Sequence, residues 1–206
     1  MLSIKRFLPF LVLTAAPLFA QTNEFFASIG GSALLNSDIG SPVPGGNSDA
    51  VKLLDGFRVG FRLGFNTNGN FGHEFQYAYN RSALSDSTGM ILPVPGSAGM
   101  AIHQVGYNLL YYLKPGREDA KVRPFFTAGA NLDSFSTPAT ASPRGGSPRF
   151  GFNYGGGVKY RISPLWGWRF DIRGYDSGKP NWSGVLHNQS GLLQQFEASV
   201  GFGVYF

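Results

Sequence analysis

Arg169, Asp171 and Arg173 stand at alternate positions of one stretch, and Arg58 with Arg62, and Lys159 with Arg161, repeat the even spacing elsewhere. In an extended chain alternate residues share a face, so each set projects one way. A catalytic carboxylic acid would need a second carboxylate and a cleft. A carboxylate flanked by two guanidiniums is instead held ionised, and the triplet reads as a salt-bridge ladder. The three histidines add little: His73 lies between Phe71 and Phe75 on its face, His103 between Ala101 and Val105, and His187 stands in a polar stretch with Asn188 and Ser190. A nucleophile needs its base within hydrogen-bond reach, and no serine stands beside His73 or His103, which argues against an enzyme. There is no cysteine, and neither histidines nor carboxylates cluster at metal-ligand spacing. Gly155-Gly156-Gly157 interrupts an extended stretch and opens no helix, so it is not a phosphate loop; it eases curvature or makes room for neighbours. Neither a metal nor a cofactor is expected.

A sheet must position these charges. From 53 to 65, LLDGFRVGFRLGF, Phe57, Val59, Phe61, Leu63 and Phe65 alternate with Gly56, Arg58, Gly60, Arg62 and Gly64, which puts grease on one face and arginine and glycine on the other. After the turn Asn66-Thr67-Asn68-Gly69-Asn70 the pattern resumes, with Phe71, His73, Phe75, Tyr77 and Tyr79 opposed to Gly72, Glu74, Gln76, Ala78 and Asn80. This is a hairpin, and a turn centred on Asn68 sets Arg62 directly opposite Glu74. The same reading predicts further strands at about 24–35, 99–113, 122–134, 150–162, 166–176 and 193–206, eight in all. Connections alternate between short (66–70, 114–121, 163–165) and long (36–52, 82–98, 135–149, 177–192), the long ones rich in Gly, Pro, Ser, Asn and Asp.

Composition decides which face is outside. The chain carries 29 Gly, 19 Phe and 9 Tyr but only 14% charged residues, and its mean hydropathy is close to zero. A membrane barrel shows lipid only every second residue, so its two faces cancel in such an average. A soluble barrel would turn the polar face to water, but that face is poor in lysine and glutamate and crowded with glycine. In the last strand Phe196, Ala198, Val200, Phe202, Val204 and Phe206 share a face, an aggregation hazard in water and a natural surface in lipid. At the start, Lys5 and Arg6 precede the apolar stretch 7–19 and Ala20, the pattern of a secretory signal peptide cleaved after Ala20. The expected division is residues 1–20 as signal peptide and 21–206 as one barrel domain. The formal charge of +5 falls to +3 without Lys5 and Arg6 and contains no basic run, which gives nucleic-acid binding no support.

The segments RPFFTAGANL at 123–132, FNYGGGVKYRIS at 152–163, WGWRFDIRGY at 166–175 and the terminal VGFGVYF resemble the outer-membrane β-barrel family of OmpA and OmpX type. The resemblance covers nearly all of 21–206 and implies an eight-stranded antiparallel up-and-down transmembrane barrel in a bacterial outer membrane. It implies that Phe206 is the residue read by the barrel-assembly machinery. Full-length OmpA-like proteins continue into a peptidoglycan-binding domain, whereas this sequence stops at the eighth strand, so cell-wall tethering is not carried over.

On that frame the inward face collects Arg58, Arg62, Glu74, Arg123, Asp133, Lys159, Arg161, Arg169, Asp171, Arg173 and Glu197, seven basic and four acidic. One reading is a narrow lumen that favours anions. The other is a polar plug, which the width of eight strands favours because buried charges must pair there. Phe65, Phe71, Tyr111, Tyr160, Trp168 and Phe206 form an outward girdle near the periplasmic ends. The long loops are the seat of specific recognition, with Trp182 and Leu186 as anchors for an unknown ligand or for the lipopolysaccharide layer. The role expected is a structural or surface-interaction, adhesin-like barrel; the alternatives are a narrow pore and, because some small barrels of this kind modify acyl chains of lipopolysaccharide, a lipid-modifying enzyme with Ser, His and an acid at the outer rim.

Overall fold

The computed structural model describes residues 22–67, 69–115, 121–142 and 144–206. The expected signal peptide therefore lies outside the described residues. Eight long strands close into an antiparallel barrel: β1 (Thr22–Leu35), β3 (Val51–Asn66), β4 (Phe71–Asp86), β5 (Gly96–Tyr112), β6 (Val122–Ser136), β7 (Gly146–Arg161), β8 (Trp166–Ser177) and β9 (Leu193–Tyr205). A ninth, short strand, β2 (Asp38–Gly40), belongs to the first outer loop and pairs with the start of β3. Each long strand pairs with its sequence neighbour, and β1 closes the ring by pairing with both β3 and β9.

Side-chain alternation makes the wall two-faced. In β8, Trp166, Trp168, Phe170 and Ile172 are exposed while Arg169, Asp171 and Arg173 are buried. The apolar face is turned outward, as in a barrel dissolved in lipid. The interior is narrow enough that glycines beside large side chains are required. A Cβ at Gly155 would lie 2.3 Å from the Ile172 carbonyl oxygen and 3.1 Å from Cγ of Arg173, so only glycine leaves that arginine its place.

Three features differ from the sequence reading. The strands outrun it: β4 continues to Asp86, β5 begins at Gly96, β6 ends at Ser136 and β7 begins at Gly146, so two outer connections shrink to 87–95 and 137–145. There the side chains are mostly Ser, Ala and Gly with no hydrophobic alternation, and the strands are extended by main-chain ladder bonds together with the few inward apolar residues, Leu84 and Phe135, that pack under the outer loops. The β3–β4 register is displaced by two residues: Arg62 faces Gln76, and Glu74 faces Gly64. The turn closes on Thr67, whose N–H and hydroxyl both donate to the Phe71 carbonyl, at 3.1 and 2.6 Å, which centres it one residue later than Asn68. Finally, a bulge between Leu54 and Phe57 reverses the inside–outside parity of β3. Leu53 points inward above it and Arg58 points inward below it.

The interior has two layers. Charged and amide side chains fill the middle and periplasmic parts. The outer mouth is stoppered by an apolar cluster in which Ile39, Ile91, Leu92, Ala141, Trp182 and Leu186, from all four outer connections, pack on wall residues such as Leu53, Leu84, Met100, Ile102 and Phe135.

Candidate functional site

The middle of the lumen holds four guanidiniums and three carboxylates. Asp171 receives Arg169 in two parallel bonds, Nε to Oδ2 at 2.7 Å and Nη2 to Oδ1 at 3.0 Å, the fork geometry that suits arginine to a carboxylate. Arg173 donates Nε and Nη2 to the same Oδ1 at 3.1 and 3.0 Å. The ladder expected along β8 is therefore present within one strand, and across the lumen Glu74 receives Arg169 at 2.5 Å and Arg173 at 2.9 Å. Glu197 on β9 receives Arg62 at 2.6 Å, Tyr175 at 2.6 Å and Ser199 at 2.5 Å, and lies 3.2 Å from Arg58 Nε. Arg62 Nε remains 3.8 Å from Glu74, a weak diagonal contact in place of the directly opposed pair expected from the sequence. Arg58 turns toward the outer end, where Gln104 and Tyr175 accept from its Nη2 at 2.6 and 3.0 Å. Gln104 passes the chain on to Asp133 at 2.7 Å.

Near the periplasmic end Lys159 pairs with Glu24 and donates to the Tyr112 hydroxyl at 2.5 Å, which in turn donates to Asn66 at 2.5 Å. Sequence reasoning missed Glu24, although its alternation with the outward Phe25 in β1 was the signal that could have found it. Its inclusion changes the balance. Beneath the outer cap, where Asp86 and Lys179 are the buried charges, the lumen buries Arg58, Arg62, Lys159, Arg169 and Arg173 with Glu24, Glu74, Asp133, Asp171 and Glu197, five charges of each sign. Arg123 and Arg161 are only half-buried and stack on Tyr112 and Tyr205, with the guanidinium carbons 3.8 and 4.2 Å from the ring centroids. The excess of basic charge on which an anion-selective lumen rested is thus absent from the buried set.

The outer cap is tied as closely. Asp86 at the end of β4 receives the N–H groups of Thr88, Ile91 and Leu92 at 2.8, 2.9 and 3.0 Å, which folds the second loop over the mouth. Trp182, in the single turn Trp182–Gly184, inserts into the cap and donates its indole N–H to the Phe135 carbonyl at 2.9 Å. Trp182 and Leu186 are 3% and 4% exposed, so they are core residues of the cap and not free anchors for a partner. Lys179 crosses between the first and last loops to the Asp38 carbonyl at 2.5 Å and Asn36 at 3.3 Å; burial lowers its pKa below the ordinary 10.5, and the Asp38 charge offsets only part of that.

The histidines do not assemble a catalytic group. His73 and His103 face outward from the wall, their Nδ1 atoms bonded to the hydroxyls of Tyr107 at 2.5 Å and Tyr77 at 2.9 Å. His187 does reach a serine, but through main chain: it exchanges two backbone bonds with Ser41, whose hydroxyl accepts the Val43 N–H. Among the described residues no three His, Asp or Glu are grouped as metal ligands. On the outside, Phe71, Tyr111, Tyr160, Trp168 and Phe206 are exposed near the periplasmic ends, with Trp166 stacked on Phe202 beside them.

Solved structures with this architecture cover almost the whole chain. Neisserial surface protein A shares 18% identity over 89% of this chain and 97% of its own, with a TM-score of 0.64. The outer-membrane protein OprG from Pseudomonas aeruginosa shares 15% over 91% of this chain and 96% of its own, with a TM-score of 0.58. Both are similar in fold. No curated protein matches in sequence. The sequence model of the outer membrane protein beta-barrel domain matches residues 7–206. The chain belongs to that family of bacterial outer-membrane β-barrels.

Proposed function

We propose that the protein is a closed structural barrel that displays a pre-ordered loop surface outside the cell and conducts nothing. The observation that carries this reading is the double closure of the lumen, by a charge-balanced network that runs from Glu24 and Lys159 through the central cluster to Asp133, and by an apolar cap at the outer mouth. In a passage only as wide as its own side chains, charges that satisfy one another leave no site for a passing ion. The cap serves the second half of the proposal. Loops tied by Asp86, Lys179 and Trp182 present one shape, which lowers the ordering cost of binding a partner. The word "surface" in the name of the neisserial relative agrees with this role. Export through a signal peptide ending at Ala20 and insertion by the barrel-assembly machinery complete the proposal.

The test is single-channel recording of the refolded protein in a planar bilayer, beside Arg62→Ala. A silent bilayer, with folding established by a heat-dependent gel shift, is expected for the unaltered protein. A steady current that changes in the variant would overturn the reading. One observation favours that second outcome: the buried amide atoms Asn80 Nδ2, Asn108 Oδ1 and Asn153 Oδ1 have no hydrogen-bond partner in the protein, and buried polar groups ordinarily find one, water included. A water file along these amides would make the barrel a narrow pore.

A further inference from the structure

One cation points from the barrel wall into the surroundings with no carboxylate to meet it. Among the described residues, the buried arginines and Lys159 pair inside, and Lys52, which points outward above the bulge, lies 3.4 Å from Asp38 and 3.5 Å from Asp49. Arg81 on β4 is exposed, faces outward with Phe71, Phe75 and Tyr77, and has no ion pair. Its guanidinium leans toward the outer end across Gly99 of β5, where a Cβ would come within 2.5 Å of Nη2. Gly99 thus lets the side chain lie flat against the wall.

The height of Arg81 is significant. A strand rises about 3.3 Å per residue and tilts by about 40° in such barrels, so the ten residues from Phe71 in the periplasmic girdle to Arg81 climb about 25 Å, the height of the apolar band. Arg81 therefore stands where hydrocarbon gives way to headgroups on the outer side. Immediately below it the same wall carries Tyr77, whose hydroxyl is 2.9 Å from His103 Nδ1, and Tyr79, whose ring centroid is 5.3 Å from that of His103. A tyrosine and a neutral histidine own two donors between them and spend one on each other, so whichever donates, the pair keeps one N–H or O–H for an outside partner. Below these, Phe75, Val105 and Leu109 surround a second such pair, His73 and Tyr107, whose Nδ1 and hydroxyl lie 2.5 Å apart and so pair with each other within the wall.

Read upward, the β4–β5 face presents a largely aromatic and aliphatic wall, then the upper Tyr77–His103 pair, then the lone cation directly above it. An anionic lipid of the outer leaflet presents the complement in the same order: acyl chains, ester or amide carbonyls, phosphate. We propose that the outward face of β4 and β5, with Arg81 as phosphate contact and the Tyr77–His103 pair as carbonyl contact, is a docking site for one phosphorylated lipid, the lipid A portion of lipopolysaccharide. Guanidinium is suited to this because it matches phosphate with two donors and is weakly hydrated. The proposal rests on the outer-membrane family assignment and not on the display reading.

Native mass spectrometry of the folded full-length protein, released from detergent micelles after titration with diphosphoryl lipid A, tests it. One retained lipid per barrel is expected, with retention weakened about tenfold or more in Arg81→Gln, as for loss of a hydrogen bond to a charged group, and partly kept in Arg81→Lys. His103→Phe should weaken it about two- to tenfold, and Ile172→Ala on the opposite wall should leave it unchanged. Phosphatidylcholine should not be retained, and millimolar inorganic phosphate should not displace lipid A. Equal retention by Arg81→Gln, with its gel shift showing a folded barrel, overturns the proposal. Retention of phosphatidylcholine equal to lipid A overturns it in favour of an indiscriminate lipid wall, and displacement by inorganic phosphate in favour of a free-anion site.

Discussion

Removing Glu74 should destabilise the barrel more than any exposed charge can, and the partners left behind determine by how much. Glu74 is fully buried and receives Arg169 at 2.5 Å and Arg173 at 2.9 Å, with Arg62 at 3.8 Å. In Glu74→Ala the central cluster changes from four guanidiniums facing Glu74, Asp171 and Glu197 to four facing two carboxylates, in a space from which the cations cannot withdraw. Asp171 still holds both arginines, so neither is wholly orphaned, and Arg62 keeps Glu197 at 2.6 Å. Breaking a buried pair by removing one partner costs about 3–5 kcal/mol, and the surviving contacts argue for the lower end. Reversible urea unfolding in lipid vesicles, followed by tryptophan fluorescence and gel mobility, measures the change. Adding Arg173→Ala to Glu74→Ala should recover part of the loss, since it removes the cation left in excess, with a coupling of about 0.5–3 kcal/mol for groups in contact. Lys52→Ala, whose pairs with Asp38 and Asp49 are exposed, serves as the control and should be silent. A loss below about 1 kcal/mol for Glu74→Ala would refute the argument, because surface-like costs mean that water reaches the cluster.

Two further outcomes follow from the cap. Trp182→Ala removes a buried ring and its bond to Phe135, and should cost about 3–5 kcal/mol if the cap unfolds with the barrel, or release the outer loops to protease with the barrel intact if it does not. Lys179 should titrate below 10.5 in the folded protein, measured by NMR of its ammonium group. Because the unfolded chain then binds the extra proton between the two values, stability should rise with pH across that alkaline window, and a fall there would contradict the burial of this side chain.

Much of this protein is legible without coordinates because a barrel wall has a period of two and each residue type reports its side. Phe57, Val59, Phe61 and Leu63 against Arg58, Gly60, Arg62 and Gly64 is sufficient to give one strand and its two faces, eight such stretches with alternating connections give the architecture, and composition with the apolar last strand gives the medium outside. Face membership is local, so the sequence determines it. Which charge meets which is not local. Glu74 is shared by Arg169 and Arg173, ninety-five and ninety-nine residues away, and a one-residue change in the centre of the β3–β4 turn slides its register by two, leaving every face unchanged while exchanging every partner. The bulge at Leu54–Phe57 and the burial of Trp182 were hidden for a related reason. The bulge is a single extra residue that shows only once β3 is paired with β4, and Trp182 is buried by outer loops folding inward over a mouth that exists only once the ring is closed. Composition marks those loops as polar turns, but the ring of apolar wall residues at the mouth, Leu53, Leu84, Met100, Ile102 and Phe135, is what draws Ile91, Trp182 and Leu186 out of water.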